Sequence, residues 1–145
     1  MASAAFYEFM AQAQTERWQW GRHDCFLFAA GAVLAETGVD HMSELRGYND
    51  ETSATILLQE RFSTLSLREA FLSVARRAGA VPVVPELVRD GDVGCVQWPV
   101  KFIQPYAIDQ STGLGVFYHG KVVVCSPTGL VRVPVSHRVI DLWRF

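Results

Sequence analysis

Residues 25–36, CFLFAAGAVLAE, are apolar at almost every position. Wound at helical period, this stretch leaves no polar face for water, so other protein must cover it on nearly all sides. Its uninterrupted apolar part, FLFAAGAVLA, falls far short of the ~20 residues that span a bilayer. The stretch is therefore expected to be a central buried helix. Asp24 is a suitable N-cap and Gly38 a stop.

The other segments supply that cover. Phe6, Phe9, Met10, Ala13 and Arg17/Trp18 recur at helical spacing and predict a first helix. Two more helices are expected over about Glu51–Arg61 and Ser66–Arg77. Ser66 and Glu69 match a capping box, and Gly79 ends the second of these helices. SELRGYND reads as a short helical turn and loop. The period changes beyond PVVPELVRDGD. Val93–Trp98, Gly115–Tyr118, Lys121–Cys125, Leu130–Val133 and Val139–Trp143 read as strands, with His119-Gly120 a tight hairpin turn. Helices first and strands second predict an α+β fold in which N-terminal helices pack on a small antiparallel sheet.

The chain has 145 residues, which suits a single domain over 1–145. It is 50% hydrophobic and 19% charged, an ordinary globular balance. A net charge of -2 and a pI near 6.1 give no basic footprint, so no nucleic-acid partner is expected. No membrane span is expected either, and MASAAFYEFMAQAQTERW reads as an amphipathic helix rather than a signal peptide. The 3 cysteines, Cys25, Cys95 and Cys125, are too widely spaced for a metal knuckle and odd in number for a disulfide framework. No two histidines share a metal-ligand spacing. Neither zinc nor an organic cofactor is expected.

Cys25 has two readings. A cysteine on an apolar helix is usually a small buried residue. At a helix N-terminus it is also where a nucleophile belongs, because the partial positive charge there favours the thiolate. His23, two residues upstream, is close enough to touch it from the loop, but reads better as a hydrogen-bonding loop residue. His41 and His137 lie in polar loop contexts. Arg46 is expected to pair with Asp24 or another carboxylate and hold its loop. Trp18 and Trp20 flank the motif as core, interface or cleft residues. Trp98, Pro99, Phe102, Pro105 and Tyr106 form an aromatic, proline-broken loop suited to a protein partner.

The sequence Trp20-Gly21-Arg22-His23-Asp24-Cys25 also matches a WGxHDC start. Thr37-Gly38 follows at the end of the apolar helix, then Leu45-Arg46-Gly47, then Gly91-Asp92 before a strand. With a Cys opening a central helix ahead of a small sheet, the chain resembles the NlpC-type branch of the papain-like cysteine peptidases and amidases. Its closer similarity is to small proteins of phage and prophage tail modules, over roughly residues 18–144.

The resemblance implies a papain-like arrangement with Cys25 in the nucleophile position. The general base of that family lies in a stretch like H-V-G-I-Y, matched here by Gly113-Leu114-Gly115-Val116-Phe117. Its histidine position is Gly113. The residue that orients the base falls near Cys125. His119 is a weak substitute, roughly 20 Å along at ~3.3 Å per strand residue.

Two functions follow. The favoured one is a structural or assembly protein of a phage tail tip or baseplate, with a degenerate active site. Its partners would be other tail proteins, and it would be made in the bacterial cytoplasm and located in the virion. The alternative is an active cysteine amidase that cuts peptidoglycan stem peptides. An unrelated binding module remains if the motif is only a helix cap. An imidazole nitrogen within ~4 Å of the Cys25 sulfur, facing an open cleft, would favour the enzyme.

Overall fold

The computed structural model describes residues 2–97, 108, 109 and 111–145, save the side chains of Ser136 and His137. Helices α1 (Ala4–Ala13), α2 (Cys25–Thr37), α3 (Glu51–Phe62) and α4 (Leu67–Ala78) come first. The strands are β1 (Val81–Pro82), β2 (Val93–Gln97), β3 (Thr112–Tyr118), β4 (Lys121–Ser126), β5 (Gly129–Val133) and β6 (Val139–Arg144). A four-residue helix, α5 (Val135–Arg138), leads into β6. The strands form one sheet in the order β1-β6-β2-β3-β4-β5, antiparallel throughout. The chain is α+β, as the change of period predicts.

Helix α2 occupies the expected place. Phe26, Leu27, Phe28, Ala29, Ala30, Ala32 and Val33 are all buried, between α1 on one side and β3 and β4 on another. Its ends follow local rules. The Asp24 carboxylate caps the start, and Gly38 takes the left-handed conformation at the stop, φ 76°. Gly79 closes α4 in the same way, φ 73°.

The sheet is apolar on both faces. Val93, Cys95, Leu114, Val116, Val123 and Cys125 face the helices. Val96, Val122, Val124, Val133 and Leu142 form a second buried cluster on the opposite face. Strand alternation separates the two sets, so β4 has to be apolar at successive positions. His119 and Gly120 both have positive φ, 49° and 84°, which gives the tight β3–β4 hairpin its expected turn.

Several expectations need correction. The first helix stops at Ala13 rather than reaching Trp18. Beyond Ala13, the last buried residue of α1, lies the polar run QTER, and Thr15 turns back on Gln12 through both its amide and its hydroxyl. Ser66 does cap α4, accepting from the Glu69 amide at 3.3 Å. The return half of the box is missing, because the Glu69 carboxylate takes the Thr64 hydroxyl at 2.7 Å. A reciprocal box instead starts α3, between Asp50 and Ser53. Strand β3 begins at Thr112, earlier than the expected Gly115, and the short edge strand β1 was not anticipated. The expected strand end at Trp98 and the aromatic loop of Trp98, Pro99, Phe102, Pro105 and Tyr106 lie outside the described residues.

Gly115 shows how tightly the sheet's second face is packed. A Cβ there would run into Val122, and would come within 2.9 Å of Val124 Cγ2 and 3.0 Å of the Val123 carbonyl. These neighbours are β-branched side chains and backbone and cannot swing aside. Gly115→Ala is expected to destabilise the fold by about 1–3 kcal/mol, the usual range for overpacking, as read from urea denaturation midpoints.

Candidate active-site cleft

The loop before α2 is held by three donors converging on one carboxylate. Asp24 is 2% exposed. Its Oδ1 accepts from the Leu27 amide at 2.9 Å, and its Oδ2 accepts from the Gly21 amide at 3.0 Å and the Tyr48 hydroxyl at 2.6 Å. Burying a charge requires such partners. The burial and the carboxylate together also push the Tyr48 hydroxyl pKa well above its ordinary value. Gly21 is obligatory here. Its φ is 77°, and a Cβ would collide with the Tyr48 carbonyl. The Gly and the Asp of the WGxHDC start are thus two contacts to one tyrosine.

Cys25, the first residue of α2, lines a cleft of about 50 Å³ together with Trp18, Trp20, Tyr48, Leu57, Ile108, Cys125 and Pro127. Trp20 stands edge-on to both Trp18 and Tyr48, with ring centroids 5.7 and 6.3 Å apart. The helix start does not make the thiol acidic. Burial, and next the Asp24 charge, push its pKa up to about 12, against the opposing pull of the backbone amides of Leu114, Phe26 and Cys25 itself. Cys125 shares the cleft and its thiol approaches the His23 carbonyl at 3.7 Å. Its pKa is also raised, chiefly by burial and then by Cys25 and Asp24.

The histidines lie elsewhere. His23 is 5% exposed and serves the loop. It exchanges backbone hydrogen bonds with Gln19, its ring stands edge-on to Phe28, and its Nδ1 is 3.6 Å from Glu16. His119 sits at the far end of β3 from Leu114, 60% exposed in its side chain. It rests on Tyr7 and Tyr118, with Nδ1 3.9 Å from Asp90. His41 lies against Phe145. The side chain of His137 lies outside the described residues. Among the described residues no imidazole lines the cleft. Gly113 pairs with Val96 in the sheet, one residue before the Leu114 amide that faces the Cys25 sulfur. Of the three positions linked by the resemblance, Cys25 and Cys125 share the cleft, while Gly113 pairs with Val96 of the sheet's second face; two of the three carry thiols and the third carries no side chain.

Sequence reasoning missed Tyr48. Its distance in sequence from Asp24 hides the contact, and an aromatic with a hydroxyl after the LRG turn was the only signal. Arg46 takes the other option foreseen for it and pairs with Asp40 at 2.8 Å. Among the described residues, no group of three or more His, Cys, Asp and Glu side chains could hold a metal, and no helix is long and apolar enough to cross a membrane.

The family comparison covers nearly the whole chain. A family described as a domain of unknown function, DUF6950, matches residues 2–145. The chain belongs to the DUF6950 family. Among curated proteins, none matches it.

Two measurements check the cleft. Asp24→Ala removes the cap and leaves the Gly21 amide and Tyr48 hydroxyl without their acceptor, so a loss of about 2–4 kcal/mol is expected in denaturant unfolding. The raised thiol pKa predicts slow alkylation. At pH 8 iodoacetamide should label Cys25 in the native protein at least about a hundredfold more slowly than a free thiol of pKa ~8.5. The fold favours the protonated thiol, so this contribution to stability is present below about pH 9, the ordinary thiol value, and is lost as pH climbs toward about 12.

Proposed function

We propose that this DUF6950 protein is a structural or assembly component of a phage tail, at the tip or baseplate, on a papain-like NlpC-type scaffold whose hydrolytic site no longer works. The observation that carries the second half is the state of Cys25. Its thiol is held protonated at neutral pH, and among the described residues no imidazole faces it. A cysteine hydrolase needs a thiolate and a base within hydrogen-bond reach. Where the resemblance expects the base and the residue that orients it, the sequence has Gly113 and Cys125, and neither is an imidazole or its usual polar partner. The assignment to a tail rests on the WGxHDC start and the TG, LRG and GD pieces that follow it.

A docking role has some physical support. Val81, Val84 and Leu87 stand 61%, 55% and 69% exposed around the short edge strand β1. Exposed apolar side chains of this kind suit packing against neighbouring subunits.

Zymography on purified cell wall tests the reading, with wild type and Cys25→Ala run side by side. Neither protein should clear the wall material. Clearing by the wild type that disappears with Cys25→Ala would overturn the proposal in favour of an active peptidoglycan amidase with a base supplied from elsewhere.

A further inference from the structure

The three cysteines separate into a pair and a bystander, and Leu114 on β3 is the reference point. On β2 its partner is Cys95. On β4 Val124 faces Gly115, and one more step of that register puts Cys125 opposite Leu114. Cys95 and Cys125 thus lie on the same helix-facing side of the sheet but two strands apart. At ~4.8 Å per strand that is roughly 10 Å. A disulfide needs α-carbons within about 7 Å, so these two cannot join without breaking the sheet.

Cys25 and Cys125 approach each other from both directions. The Cys25 sulfur faces the Leu114 amide, and Leu114 is the cross-strand neighbour of Cys125. The Cys125 thiol points back to the His23 carbonyl, two residues ahead of Cys25, at 3.7 Å. Both side chains line one cleft, and Cys95 does not. Cys95 instead faces the Asp141 carboxylate of β6, the neighbour of β2 on its other side. The pair also differs in access. Cys25 is half-buried, whereas Cys125 is 1% exposed and stands behind it.

We propose that Cys25 and Cys125 are a modification site, a dithiol that a peroxide converts to a reversible disulfide clamping the start of α2 to β4. The Cys25 sulfur attacks one oxygen of hydrogen peroxide. The O–O bond breaks, giving a sulfenic acid and one water. The Cys125 sulfur then attacks the Cys25 sulfur. The S–O bond breaks, and hydroxide leaves with the Cys125 proton as a second water. Two thiols and one peroxide give one disulfide and two waters; sulfur is oxidised and peroxide oxygen reduced. The neighbouring Asp24 carboxylate favours this end point. A sulfinate would place a second negative charge beside it, and a disulfide carries none. Because the thiolate is the reacting form and both thiols are held protonated, closure is slow at neutral pH. The site is a lock set by sustained oxidation rather than a rapid sensor. It does not depend on the tail reading, since it needs neither hydrolysis nor a neighbouring subunit.

The test treats the folded, full-length protein with hydrogen peroxide at pH 8. The protein is then denatured in N-ethylmaleimide, digested without reduction and mapped by mass spectrometry. The expected product is one peptide pair joined through Cys25 and Cys125, two hydrogens lighter than its parts, at least about tenfold more abundant than any other linkage. Cys95 should be recovered as the maleimide adduct. Dithiothreitol should release the pair, and the oxidised protein should unfold at higher urea than the reduced one. Cys25→Ser and Cys125→Ser should each abolish the joined peptide, and Cys95→Ala should keep it. Should a variant not fold, the wild-type peptide map decides alone. The inference is overturned if Cys95 takes the place of either partner, if Cys25 is oxidised to sulfinic acid while Cys125 stays free, or if both thiols survive the treatment.

Discussion

The buried carboxylate of Asp24 is the joint on which the central helix and the cleft depend. It draws donors from three separate pieces of chain: the turn at Gly21, the first turn of α2 at Leu27 and the loop at Tyr48. Each is a hydrogen bond to a charged group, in the class contributing about 1.5–3 kcal/mol. Together they fix where α2 begins and hence where Cys25 stands. The same charge acts on the thiol. A carboxylate adjacent to a sulfur in an apolar wall opposes the thiolate, and here it adds to desolvation and outweighs the neighbouring amides. The group that builds the site therefore also disfavours the thiolate form of the neighbouring sulfur, second to burial. The position beside Leu114 where the resemblance places an imidazole holds Gly113, which has nothing to offer.

What could be read from sequence is what is decided within a few residues. The apolar run of α2, its Asp24 cap, the glycines at 38 and 79 and the His119-Gly120 turn follow from local backbone chemistry, and the structure has them all. The α+β class follows from the change of period. The failures need distant partners. Whether α1 continues past Ala13 depends on what it packs against. Glu69 was expected to close a box with Ser66 but found a nearer hydroxyl on Thr64. Tyr48 meets Asp24 across a loop whose course no local rule gives. For the candidate site, Cys25 at the start of its helix was legible. The sign of the thiol shift was not, because it depends on burial and on the charge next door, and the helix start alone suggested the opposite.

The sheet shows the same division. A run such as Val122-Val123-Val124 reads as a strand buried on both faces, and alternation sends Val122 and Val124 to one cluster and Val123 to the other. Sequence does not say that Gly94 and Gly115 must lie opposite each other on β2 and β3. Only the register shows that the second face is packed too closely there for a side chain. The helical layer is then tied to the sheet by a few long-range polar contacts. Arg68 on α4 reaches Asp141 on β6 at 2.8 Å, and Tyr7 on α1 reaches Asp90, ahead of β2, at 2.6 Å.

Asp90 also accepts from the His119 amide, so α1, the approach to β2 and the β3–β4 turn meet at one carboxylate. This gives His119 a structural occupation at the opposite end of β3 from Cys25, and its amide bond to Asp90 helps hold a non-glycine residue at φ 49° in the turn. The two carboxylates divide the molecule between them. Asp90 holds the end at the β3–β4 turn, where the His119 side chain is exposed. Asp24 holds the end where α2 begins, its oxygens accepting from Gly21, Leu27 and Tyr48. The cleft at that end is lined mainly by aromatic and aliphatic side chains.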